Sequence, residues 1–85
     1  MSVTEEVEAF ILDEIAVDRG TSIAPDEDLL AGGIIDSLGV MQVVAFLEDR
    51  YSIRVTDEEL KPLNFQTLAS IEAFVSRRRP RAHRW

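Results

Sequence analysis

The chain contains no cysteine, so disulfides, a thiolate nucleophile and cysteine-ligated metal sites are excluded as sources of stability or chemistry. Histidine is almost as scarce. His83 is the single imidazole and lies in the basic C-terminal stretch, which leaves no general base beside the serines of the body, and Ile35-Asp36-Ser37-Leu38-Gly39 does not fit the Gly-x-Ser-x-Gly elbow of serine hydrolases. Carboxylates abound, but nothing in the pattern builds a cleft to hold a catalytic pair, so an enzyme is not expected. No apolar run approaches the roughly 20 residues of a bilayer span, and no N-terminal stretch joins basic residues, an apolar run and a small-residue cleavage site. A cytoplasmic protein with no membrane partner is expected.

Positive charge is also in short supply through most of the chain. Up to Leu60 there are fifteen acids against Arg19, Arg50 and Arg54, whereas from Lys61 onward the sign reverses, for a net charge of −7. The acidic body argues against nucleic acid and for basic protein partners drawn in by long-range attraction. The stretch Arg77-Arg78-Arg79-Pro80-Arg81-Ala82-His83-Arg84-Trp85 reads as a solvated terminus and is assigned no function.

What is present is helical patterning. With 85 residues there is room for one domain with an economical core. Ser2 and Glu5 have the spacing of a capping box, and Val3, Val7, Phe10, Ile11 and Ile15 then form one apolar stripe that stops at Asp18-Arg19-Gly20. Residues 21–35 make a long connection too apolar for a solvated linker, with Ile23, Leu29, Leu30, Ile34 and Ile35 expected to pack over the helices. Within it, Asp26-Glu27-Asp28 is expected to form a turn of helix after Pro25, and Gly32-Gly33 to supply a sharp change of direction. The acid cluster lacks the spacing and closing glutamate of an EF-hand, so no metal is expected there.

Ser37 has the position of a cap for a second helix, residues 37–50, that is apolar on most of its circumference: Leu38, Met41, Val44, Ala45 and Leu47 near one side, Val40, Val43 and Phe46 widening the arc. Such a helix is either central to the fold or covers part of its surface with partners. Ile53-Arg54-Val55 is strand-like but too short and isolated for a sheet. Thr56 and Glu59 have capping-box spacing for a short third helix, which Pro62 is expected to end or bend. Leu68, Ile71, Phe74 and Val75 mark one face of a last helix over 67–78, with Arg77 to Arg79 at the negative end of its dipole. The expected fold is all-α: a small four-helix bundle, residues 1–79, with a long structured loop between the first two main helices, a short third helix, and a basic tail over 80–85.

The stretch Gly32-Gly33-Ile34-Ile35-Asp36-Ser37-Leu38-Gly39, the loop Asp28-Leu29-Leu30 before it, the helix end Leu47-Glu48-Asp49-Arg50-Tyr51 after it, and Asn64-Phe65-Gln66-Thr67-Leu68 together resemble the acyl and peptidyl carrier protein family. The resemblance spans nearly the whole chain apart from the basic tail. It implies a noncatalytic phosphoprotein whose Ser37 receives a 4'-phosphopantetheine arm from coenzyme A through a phosphopantetheinyl transferase, and whose cargo is held on that arm as a thioester. It also implies that Asp36 helps the transferase hold magnesium and orient the serine, a role suited to a hard carboxylate oxygen. Without the surrounding pattern, Ser37 would read as an ordinary N-cap and Asp36 as a helix-end acid favoured by the dipole.

Further partner contacts implied on the second helix are Leu38 and Met41, with Gln42, Glu48 and Asp49 beside them; the competing expectation for Leu38 and Met41 is core packing, with partial burial the favoured reading of Met41, and for Glu48 and Asp49 a solvated helix end. Where fatty-acid carriers usually place acids early in this helix, the chain has Gly39 and Gln42. Asp-Ser-Leu-Gly-x-x-Gln is more similar to carriers of aminoacyl groups, including D-alanine carriers, and to dedicated carriers of natural product biosynthesis. The expected function is therefore a free-standing, monomeric carrier of acyl or aminoacyl intermediates in a specialised pathway, visiting a loading ligase and downstream biosynthetic enzymes. The runner-up on pattern alone is an unmodified helical interaction domain whose second helix docks a partner.

Overall fold

A computed structural model describes residues 2–16 and 22–78. Its elements are α1 (Val3–Glu14), α2 (Ser37–Tyr51), α3 (Pro62–Phe65) and α4 (Leu68–Arg78), with a 3-10 turn over Asp57–Glu59 before α3. No strand occurs among the described residues, in line with the all-α expectation.

The Ser2–Glu5 capping box that starts α1 is formed in both directions: Ser2 Oγ accepts from the Glu5 N–H at 3.1 Å and Glu5 Oε1 accepts from the Ser2 N–H at 3.0 Å. The helix ends at Glu14, with Ile15 as its C-cap. The stop expected at Asp18-Arg19-Gly20 lies outside the described residues.

Val3, Val7 and Ile11 of α1, Val43, Val44 and Leu47 of α2, Phe65 of α3, and Leu68, Ile71, Phe74 and Val75 of α4 converge on one core. Each large aliphatic or aromatic side chain removed from water there contributes about 1.5–3 kcal/mol before the entropy of ordering is subtracted. Phe65 and Phe74 meet with ring centroids 5.5 Å apart, joining α3 to α4. On the other side, Phe10 of α1 stacks on Phe46 of α2 at 4.5 Å.

A polar clasp closes one end of the bundle. Glu6 accepts from Arg50 Nη2 at 2.8 Å and from the Tyr51 hydroxyl, tying α1 to the C-terminal end of α2. Across the neighbouring interface Thr4 donates to Glu72 at 2.9 Å. Arg78, placed at the dipole end of α4 as expected, pairs with Glu59 at 3.4 Å, and Arg77 donates to Asn64 Oδ1 at 3.4 Å. These two arginines hold α4 to the segment before it, rather than starting a solvated tail at Arg77.

The connection before α2 is structured, as its apolar residues require: Ile23, Leu29 and Ile35 are buried. Asp26-Glu27-Asp28 does not form a turn of helix. Glu27 N–H closes a single turn onto the Ala24 carbonyl at 3.1 Å, after which Asp28 is claimed by side-chain bonds of its own.

The Thr56–Glu59 capping box is present, but on a 3-10 turn of three residues. Pro62 does not terminate that turn. It occupies the first turn of α3, where its fixed φ suits a helix and its missing N–H would have had no intrahelical partner. The short third helix therefore lies one segment later than expected, and Thr67 stands just ahead of α4, its hydroxyl accepting from the Ser70 N–H at 2.9 Å.

Candidate functional site

The site of interest is the entry to α2, and the loop before it determines how that entry is presented. Asp28 Oδ1 accepts from the N–H groups of Leu30 (3.0 Å) and Ala31 (2.7 Å), while its Oδ2 accepts from Gln66 Nε2 at 2.8 Å. These bonds favour the ionised form, holding the Asp28 carboxyl below its ordinary range, with the Ala31 N–H the largest contributor. Leu29 N–H donates to the Gln66 carbonyl at 2.7 Å, and the Leu29 carbonyl accepts from both Ile34 (2.9 Å) and Ile35 (3.0 Å). A tight coil results. Gly32 is required in it because a Cβ would lie 2.6 Å from the Asp28 carbonyl oxygen, and Gly33 is favoured because its φ is +75°.

Ile35 is buried, Asp36 is extended (φ −115°, ψ −167°), and helical geometry starts at Ser37. Asp36 Oδ1 accepts from the Gly39 N–H at 2.8 Å, so Asp36 is the N-cap. This corrects the expectation that Ser37 caps the helix. The physical reason is the anchor at Ile35: once that side chain is in the core, the change of direction falls at Asp36, and its carboxylate reaches the donor that a serine cap would have taken. Ser37, in the first helical position, is exposed. Gly39 is buried, with room for a Cβ only at 3.0 Å from Ile35 Cβ and 3.5 Å from Ile15 Cγ2, which explains a glycine where a helix-favouring residue would otherwise be preferred.

At 100° per residue, Val43, Val44 and Leu47 face the core and Leu38, Met41, Ala45 and Asp49 line the opposite side, with Gln42 beside them. Leu38 is 70% exposed and Met41 50%. Partial burial of Met41 in the core is therefore not what the structure shows; the side of the helix needed by the core is already filled by Val43, Val44 and Leu47. Four of the residues implied as partner contacts, Leu38, Met41, Gln42 and Asp49, thus share one exposed face that starts at Ser37. Glu48 does not join it. It is half-buried and its Oε2 accepts from the Val55 N–H at 2.9 Å, fastening the chain after α2.

Leu63 of α3, 70% exposed, is a further large apolar side chain given to solvent, and sequence reasoning did not single it out. A helix of four residues is too short to show a periodicity from which an outward face can be read. No group of three or more histidine, cysteine or carboxylate side chains suited to hold a metal ion occurs among the described residues. No helix among them is long and apolar enough to cross a membrane.

An exposed primary hydroxyl in the first turn of a fifteen-residue helix, next to a carboxylate, with glycines before it and an apolar face after it, fits covalent attachment of a phosphate-linked group. Backbone N–H groups at such a helix start favour an anion. The family model described as "Phosphopantetheine attachment site" matches residues 5–75. The chain is 28% identical over 75 residues to an acyl carrier protein of Helicobacter hepaticus, covering 88% of this chain and 95% of that one. It is 37% identical over 49 residues to a D-alanyl carrier protein of Streptococcus gordonii, covering 58% and 61% respectively. A solved structure described as KstB-PCP in the apo form superposes with a TM-score of 0.71 at 38% identity, covering 88% of this chain and 84% of that chain.

Proposed function

The chain belongs to the phosphopantetheine-binding carrier protein family, and from that we propose that it is a noncatalytic, free-standing carrier whose arm is attached at Ser37 and whose cargo is an acyl or aminoacyl group of a specialised pathway. The observation that carries the assignment of Ser37 is its exposure in the first turn of α2 while Asp36 takes the capping role. In the attachment step the Ser37 hydroxyl oxygen bonds to the phosphorus of coenzyme A that bears the pantetheine. The phosphoanhydride bond breaks, adenosine 3',5'-bisphosphate leaves, and the hydroxyl proton passes to a base of the transferase. Asp36 spends Oδ1 on the Gly39 N–H, and its second oxygen is the one suited to the transferase's magnesium. When bound, the prosthetic group supplies the thiol on which an acyl group is carried as a thioester, chemistry that a chain without cysteine lacks.

The exposed face of Leu38, Met41, Gln42, Ala45 and Asp49 adjoins Ser37 and suits the successive partners of such a carrier: transferase, loading ligase and downstream enzymes. Gln42, exposed where an acid would mark a fatty-acid carrier, supports a specialised pathway. The relatives include both an acyl and a D-alanyl carrier, so both cargo classes lie within reach of the fold. A carrier that visits several enzymes in turn is best served as a cytoplasmic monomer, with residues 1–79 as the working domain and the basic residues 80–85 outside it.

The test is intact-protein mass after incubation with coenzyme A, magnesium and a broad-specificity phosphopantetheinyl transferase. A phosphopantetheine-sized gain in the unsubstituted protein and none in Ser37→Ala is expected. A gain retained by Ser37→Ala would overturn the assignment of the site; no gain by the folded, unmodified protein would favour an interaction domain without an arm.

A further inference from the structure

Between α3 and α4, Gln66 holds the loop that leads to Ser37 at two consecutive residues. Its carbonyl accepts from the Leu29 N–H at 2.7 Å and its side-chain Nε2 donates to Asp28 Oδ2 at 2.8 Å. From there the connection to Ser37 is continuous: Asp28 fixes the amides of Leu30 and Ala31, the Leu29 carbonyl fixes those of Ile34 and Ile35, Ile35 is buried, and Asp36 caps α2. Nearby, the Ala69 N–H donates to the Pro25 carbonyl at 3.0 Å, so the start of the loop is fastened to α4 as well. Residues 25–35 lie against the α3–α4 junction through hydrogen bonds, and the junction ends the helix that bears the exposed Leu63.

We propose that Gln66, acting through Asp28, is a positioning residue for the modification of Ser37: it sets where the serine sits relative to the exposed face of α2 that adjoins it. The inference rests on Ser37 being the acceptor. The hydrogen bonds of Gln66 go to Leu29 and Asp28 and not to Ser37; its effect is on the pose of the hydroxyl, and reacting geometry tolerates little displacement.

The hydrogen bond has a direction that substitution can reverse. Gln66→Glu sets a second carboxylate against Asp28. Gln66→Leu removes the donor and adds no charge. In the double variant Asp28→Asn with Gln66→Glu, the amide carbonyl introduced at position 28 still accepts from Leu30 and Ala31, while its NH₂ donates to the carboxylate introduced at position 66. The latch is thereby rebuilt with donor and acceptor exchanged.

The measurement is kcat/KM for phosphopantetheine transfer, read by intact mass well below each variant's Tm, with the backbone amide resonances of Leu30, Ala31 and Gly39 followed in parallel. Both single variants are expected to be on the order of tenfold slower while folded, with those resonances displaced, and the double variant to return to within about threefold of the unsubstituted rate. Unchanged transfer by folded Gln66→Leu and Gln66→Glu would mean that Gln66 serves stability alone and would overturn the proposal, as would a double variant as slow as Gln66→Glu. Ser37→Ala run beside them separates this failure from that of the acceptor assignment, because only a wrong acceptor leaves Ser37→Ala able to gain mass.

Discussion

Asp36 Oδ1 lies 2.8 Å from the Gly39 nitrogen, so the residue before Ser37 caps α2 and Ser37 itself is released from that duty. One carboxylate therefore has a structural task and, on its other oxygen, room for a chemical one. The two can be separated. Asp36→Asn keeps a capping oxygen and is expected to change stability only slightly, whereas Asp36→Ala loses the cap at a cost of about 1 kcal/mol. Phosphopantetheine transfer is expected to fall for both, since neither retains a carboxylate for magnesium. Denaturant melts and mass-based transfer rates check the two halves; normal transfer to Asp36→Asn would confine the residue to capping.

The clasp at the far end of the bundle predicts an acid limit. Hydrogen bonds from Arg50 and then Tyr51 lower the Glu6 pKa from 4.5 to about 2. Because the folded value lies below the unfolded one, the stability contributed by Glu6 is complete above the unfolded pKa and is lost as pH falls from about 4.5 toward 2. Tm of the unsubstituted protein is expected to fall through this window more steeply than that of Glu6→Gln. Asp28 and Glu59, also held below their ordinary values, should give Glu6→Gln a residual slope of the same sign.

The two adjacent glycines of the loop differ in what they tolerate. A Cβ at Gly32 would meet the Asp28 carbonyl oxygen at 2.6 Å, and backbone must move to relieve it. At Gly33 there is open space but φ is +75°, a conformation that costs an L-residue roughly 1–2 kcal/mol. Gly33→Ala should destabilise by that amount and still be modified at Ser37, whereas Gly32→Ala should lower both Tm and the transfer rate because it breaks the coil that Asp28 organises. Equal behaviour of the two in both assays would contradict this distinction.

Exposure and burial on α2 separate the proposed partner contacts from the core. Leu38→Ala and Met41→Ala are expected to leave stability within about 0.5 kcal/mol, as surface substitutions do, and to reduce loading by the cognate ligase or modification by the transferase. Leu47→Ala, from a side chain with no solvent exposure, is expected to cost about 2–5 kcal/mol. Chemical denaturation beside enzyme-coupled loading assays reads both quantities.

The elements easiest to read in advance were those whose signals are local. The Ser2–Glu5 and Thr56–Glu59 capping boxes, the apolar stripe of α1 and that of α4 each lie within a few residues, and all four are formed. The candidate site could be marked out for a similar reason, since glycines, acid, serine and apolar helix are contiguous from Gly32 to Leu47. Met41 was harder: on a helix apolar nearly all round, spacing cannot say which arc the core takes. Pro62 likewise serves equally as the end of one element or the start of the next.

Residue order alone thus determined that this is a small cysteine-free helical chain with a serine at the mouth of an apolar helix, because periodicity and turn chemistry act over short distances. Only the tertiary structure decided that Asp36 and not Ser37 caps α2, that Leu38 and Met41 face outward while Val43 and Leu47 do not, and that Glu48 is spent on Val55. Those outcomes depend on which side of each helix meets its neighbours, and on contacts as distant in sequence as Asp28 and Gln66. Such contacts form only when the whole core closes.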